Sequence, residues 1–176
     1  DVFSTATSVQ GESDYKRVGV VLGKPFTLPY VEEFGQQGLH HAPYISYTSS
    51  DGMTGWAVDQ GYYNANVSAQ NNDGIDLVLL NNGTADGKAS FCTPIIDFRQ
   101  AANPMFHLWI YDKEGVAKGG YVTLDAITNG ADFEACSDTV FLGQGNGWRE
   151  ASFSLKSVAG KRAQVIVTGY MPTPDA

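Results

Sequence analysis

The segment Met105-Phe106-His107-Leu108-Trp109-Ile110-Tyr111-Asp112 interleaves two chemistries. Successive side chains on a strand point to opposite faces, so Phe106, Leu108 and Ile110 share one face and His107, Trp109 and Tyr111 the other. Flat aromatic faces stack on sugar rings, and imidazole and phenol groups supply hydrogen bonds to sugar hydroxyls. A second group, Trp56, Tyr62 and Tyr63, stands among Asp59, Gln60, Asn64 and Asn66. The amides there offer donors and acceptors together. Trp56, Tyr62, Tyr63, His107, Trp109 and Tyr111 are therefore the candidate ligand-binding residues, and a glycan is the ligand they suit. The competing reading buries both faces of 105–112 in a sandwich core and makes Trp56 a core anchor.

Catalytic and phosphate-binding patterns are poorly served. Glu32 and Glu33 are adjacent, so on a strand they point apart and cannot face each other as an acid/base pair. His40 and His41 have no Cys or carboxylate at zinc-ligand spacing, and no Gly-x-Ser-x-Gly elbow accompanies His107. The glycines of 143–147 lack the strand-to-helix setting of a phosphate loop. A net charge of −8 opposes nucleic acid. No apolar run is long enough to span a bilayer, so direct membrane insertion is not expected. The expectation is a non-catalytic protein.

Strands and turns must position these residues. Aromatics make up 12% and charged residues 17% of the chain, with 20 Gly, a profile that suits short strands joined by tight turns. Turn signals recur at 48–52, 70–74 and 81–87. After Trp148, Ala151, Phe153 and Leu155 alternate with Ser152 and Ser154. A turn near Ala159-Gly160 then leads to the apolar stretch 162–167, which predicts an antiparallel hairpin. The fold class these signals support is all-β, a β-sandwich of two antiparallel sheets. Cys92 and Cys136 are either a disulfide, worth roughly 4 kcal/mol, or two separate thiols packed as small apolar groups.

Several motifs in order carry a resemblance. They are Pro29-Tyr30-Val31-Glu32-Glu33-Phe34, Gly55-Trp56, the run from Gly87 to Phe98 with Thr93-Pro94 at its centre, the run from Met105 to Asp112, and the Trp148 segment. Together they resemble MAM-like and cleaved-adhesin (choice-of-anchor J type) jelly rolls of bacterial surface proteins over about residues 24–170. Before them, Ala6-Thr7-Ser8-Val9-Gln10-Gly11-Glu12-Ser13 resembles the last hairpin of a fibronectin type III domain. The expected organisation is thus a remnant hairpin with linker at 1–23 and a jelly-roll domain at 24–176. The alternative gives that hairpin to the main domain's own sheet. The family's usual closing strand, Ile-x-Ile-Asp-Asp-Ile, has no counterpart after the last apolar stretch.

The resemblance implies an extracellular or cell-surface location. It implies a glycan or a host or surface protein as partner, beside neighbouring modules of the same polypeptide. It also implies a structural calcium near the first strand, with Glu33 (or Glu32) matching the family's acidic position and Asp97 and Asp112 as further ligands. A spacer or protein–protein adhesion role is the alternative function, with a carbohydrate-active or proteolytic enzyme ranked third.

Overall fold

The computed structural model describes residues 2–7, 13–18, 24–34, 46–49, 54–59, 76–81, 86–113, 117–129, 132–136 and 139–172. Among them the regular elements are strands and a single short 3-10 turn. The strands are β1 (Val2–Thr7), β2 (Ser13–Val18), β3 (Phe26–Thr27), β4 (Ser46–Ser49), β5 (Thr54–Asp59), β6 (Asp76–Asn81) and β7 (Gly87–Cys92). They continue with β8 (Ile96–Asp97), β9 (Met105–Lys113), β10 (Tyr121–Thr128), β11 (Asp132–Ala135), β12 (Val140–Phe141), β13 (Asn146–Ser154) and β14 (Arg162–Met171). The 3-10 turn, Lys156–Val158, joins the last two.

The main sheet runs β11-β10-β14-β7-β4, with β12 sharing the β11 edge of β10 and β8 following β7 along β14. Its pairings are antiparallel except for β3, which adds to β8 in parallel. Two antiparallel ribbons, β9–β13 and β5–β6, complete the jelly-roll sandwich. The β1–β2 pair forms its own two-stranded sheet and, among the described residues, pairs with no strand of the main sheet. Its return strand begins at Ser13, which pairs directly with Thr7.

Alternation decides which residues face inward. Val122, Leu124 and Ala126 of β10, Ala163, Val165 and Val167 of β14, and Phe91 of β7 bury one face of the main sheet. Ala151, Phe153 and Leu155 from the β13 side meet them, with Phe106, Leu108 and Ile110 of β9 packed against the same cluster. Burying each Val, Leu or Phe contributes about 1.5–3 kcal/mol, so this interface supplies most of the hydrophobic driving force.

The expected hairpin over 148–167 does not form. β13 pairs with β9, whereas β14 pairs with β10, β7 and β8. The chain crosses from one layer to the other at Leu155–Val158, and both of those side chains are fully buried. Both strands present an apolar face to one core. They therefore stand on opposite sides of it rather than side by side.

Thr93-Pro94 marks a bulge between β7 and β8. Cys92 lies opposite Ile166 and Ile96 opposite Ala163, so four steps on one strand match three on the other. Thr93 Oγ1 accepts a hydrogen bond from the Val165 amide at 2.9 Å, and the Thr93 amide donates to Val165 O at 2.9 Å. Proline is tolerated here because the bulge frees its position from the ladder. Cys92 and Cys136 are separate thiols, not joined in a disulfide. Burial raises the Cys136 pKa even though its sulfur lies 3.1 Å from Ser157 Oγ.

The β5–β6 ribbon closes the core at one end through Trp56. Its ring meets Phe91 edge-on at 5.3 Å, and its indole N–H donates to Ala89 O at 2.9 Å. Gly169 makes the approach possible: a Cβ there would lie 2.5 Å from Leu79 and 2.9 Å from Trp56.

A buried ion pair fixes the far end of β9. The Asp112 side chain is only 1% exposed and accepts from Arg149 Nε at 2.8 Å. The amides of Gly143 and Gln144 donate to its other oxygen at 2.7 and 3.2 Å. Arg149 Nη2 also donates to Phe141 O at 2.8 Å, tying β12 to β13. Burial alone would raise the Asp112 pKa; Arg149 and the two amides more than offset it and hold the carboxyl below the ordinary carboxylate range.

Two outcomes are expected. Gly169→Ala overpacks the Trp56–Leu79 contact and costs about 1–3 kcal/mol, a fall in Tm of several degrees by calorimetry. For Asp112, the folded carboxyl lies below its unfolded value near 3.9. Its stabilisation is complete above about pH 4 and drains away as pH falls through the lower folded value. Asp112→Asn should lose about 2 kcal/mol at pH 7 in urea titrations and show a flatter stability profile below pH 4 than the parent.

Candidate functional site

The β9–β13 register assembles one continuous outer face. Tyr111 lies opposite Trp148, Trp109 opposite Glu150, His107 opposite Ser152, and Met105 opposite Ser154. Inward-facing Phe106, Leu108 and Ile110 hold β9 against the core, which leaves their neighbours in water. Trp109 is 47% and Tyr111 38% exposed, and His107 is exposed as well. Three of the residues singled out by alternation, His107, Trp109 and Tyr111, therefore share a surface instead of filling the sandwich.

The groups on this face differ in how firmly they are held. Tyr111 and Trp148 meet edge-on at 5.5 Å, which fixes one end. His107 Nδ1 lies 2.8 Å from Glu150 Oε1 and 3.1 Å from Ser152 Oγ. Trp109, between these two supported ends, presents its indole to solvent. The arrangement offers a large apolar ring flanked by a carboxylate, an imidazole and hydroxyls, the combination that binds an amphipathic, hydroxyl-rich ligand.

Ser152, His107 and Glu150 are not set up as a nucleophilic relay. Such a relay places the hydroxyl on one imidazole nitrogen and the carboxylate on the other. Here both approach Nδ1, so the three groups lack that geometry.

The main sheet's outer face also carries aromatics, used differently. Lys88, Tyr170, Tyr121 and Phe141 form one row across β7, β14, β10 and β12. Tyr121 and Tyr170 stack at 4.6 Å, Lys88 Nζ lies 5.6 Å from the Tyr170 ring centroid, and Phe141 meets Tyr121 edge-on at 6.4 Å. Tyr170 is bonded through its hydroxyl to Asp86, the leading cause of its raised pKa. The two stacked tyrosines cover each other's faces. At the other end of this sheet a cleft of about 350 Å³ is lined by Pro25, Ile95, Ile127, Asn129, Arg162 and neighbours, with no aromatic ring.

The remaining candidates fall elsewhere. Trp56 faces the core, with its ring against Phe91 and its N–H bonded to Ala89, so it does not join the exposed face. Tyr62 and Tyr63 lie outside the described residues. Glu33 is exposed. Asp112 is enclosed by Arg149 and two amides, and Asp97 accepts from Arg99 at 2.6 Å and Arg162 at 3.3 Å. The Arg99 hydrogen bonds hold the Asp97 carboxyl well below the usual carboxylate range. Among the described residues no three His, Cys, Asp or Glu side chains converge as a metal site. Of the three expected calcium ligands, Asp97 and Asp112 are therefore each paired with arginine.

Sequence reasoning missed Trp148, Glu150 and Ser152 as members of the face. Their alternation with Ala151 and Phe153 was a usable signal for a common side, but nothing local indicated β9 as the partner. Among the described residues no helix is long and apolar enough to cross a membrane.

No protein-family model matches this chain, and no curated protein matches it. The narrower likeness to MAM and cleaved-adhesin domains therefore has no family match behind it. Among solved structures, one described under the structural basis for the promiscuous specificity of carbohydrate-binding modules from the β-sandwich superfamily is similar at a TM-score of 0.54 and 10% identity. The match covers 99% of this chain and 67% of that one. At that identity the likeness establishes the β-sandwich fold.

Proposed function

We propose that this chain is a non-catalytic carbohydrate-recognition module whose binding surface is the outer face of β9–β13. The observation that carries the reading is Trp109, its indole half in water at the centre of a face that also holds Glu150, His107 and Ser152. An exposed indole carries a hydration cost that a sugar face can relieve, while the flanking polar groups meet its hydroxyls. The similar fold of a β-sandwich carbohydrate-binding module supports the reading at the level of architecture. In this role the chain acts outside the cell, as a module of a bacterial surface protein, and presents the ribbon face to glycans of its surroundings.

A glycan array probed with the multimerised protein tests the proposal. Saccharide signal is expected from the wild type, with at least a tenfold loss in Trp109→Ala and an unchanged melting temperature. A blank array, or signal that survives Trp109→Ala undiminished, rejects the β9–β13 face as a glycan site and turns the reading to protein–protein adhesion.

A further inference from the structure

The proposed face has a shape and a charge that bear on the kind of glycan it takes. Met105, His107, Trp109 and Tyr111 stand on one side of β9, and at ~3.3 Å per residue this row is roughly 20 Å long. Met105 and Trp109 are each about half exposed, so the row is an open surface rather than a pit. A site for a single small ligand achieves affinity by enclosing most of that ligand's surface. An open row can reach comparable contact only with a ligand that extends along it.

Charge narrows the class. Glu150 sits opposite Trp109 and is fixed by the His107 contact at 2.8 Å. A carboxylate accepts hydrogen bonds and cannot donate them, so it suits neutral hydroxyls and repels a carboxylate or sulfate ester stacked on the neighbouring indole. The chain's net charge of −8 acts in the same direction at longer range.

We infer that the β9–β13 face takes the interior of an uncharged, linear glycan chain laid along β9, and that Glu150 is the residue that excludes acidic chains. This rests on the proposal of glycan recognition above. Trp109 and Tyr111 serve successive sugar residues, and Glu150, His107 and Ser152 take the hydroxyls along the β13 flank.

The test is calorimetry on the intact protein with neutral oligosaccharides of one to six units (cello-, xylo- and manno- series), beside polygalacturonate. For the series that binds, affinity should rise at least tenfold from the dimer to the tetramer and then level off, with polygalacturonate unbound. Glu150→Gln should weaken neutral binding three- to tenfold and admit polygalacturonate. Phe141→Ser, on the opposite face of the sandwich, should leave binding unchanged. A monosaccharide that matches the hexamer, or polygalacturonate bound by the wild type as tightly as neutral chains, overturns this inference while glycan recognition stands. Absence of heat with every saccharide overturns both.

Discussion

The pleat of a strand sends alternate side chains to opposite sides, and in this protein one side must be dry. Phe106, Leu108 and Ile110 of β9 and Ala151, Phe153 and Leu155 on the β13 side face Leu124, Val165 and Val167 across the sandwich. A slip of one residue in either ribbon strand would turn its apolar set to water and bury His107 or Glu150 in its place. The core therefore fixes more than stability. By holding β9 and β13 in one register, it brings Trp109 beside Glu150 and His107 beside Ser152, pairs that are distant in the chain.

Electrostatics reinforce that register at the end of the ribbon. Asp112 continues β9 just past Tyr111, and its carboxylate is too deeply buried to be tolerated unpaired. Arg149 of β13 and the amides of Gly143 and Gln144 complete its hydrogen bonding, so the carboxylate joins β9, β13 and the preceding loop in one network. Gly145 belongs to the same construction, since a Cβ there would lie within 2.8 Å of Asp112 O. Asp97 shows a half-buried version: one carboxylate between Arg99 and Arg162 joins β8 to the start of β14. These acids hold the fold together.

The aromatic residues of the two outer faces differ by what surrounds them. On the main sheet, Tyr121 and Tyr170 stack on each other, with Lys88 beyond one and Phe141 against the other. Such a row braces neighbouring strands. On the ribbon, the edge-on pair Tyr111–Trp148 and the His107–Glu150 contact flank Trp109. Sugar recognition needs a free ring between fixed polar groups, and composition alone does not distinguish that from a bracing row.

Local alternation was enough to show that Phe106, Leu108 and Ile110 part company with His107, Trp109 and Tyr111. Period two is a property of single strands, so it is written in consecutive residues. Pairing is not. That β13 crosses the core to join β9, while β14 turns to β10, depends on Leu155 and Val158 being buried from both layers, a contact between distant segments. The fates of Asp97, Asp112 and Trp56 were decided in the same way. A carboxylate becomes a ligand or an anchor, and an indole a platform or a core ring, according to neighbours such as Arg149, Arg162 and Ala89 that only the folded chain supplies.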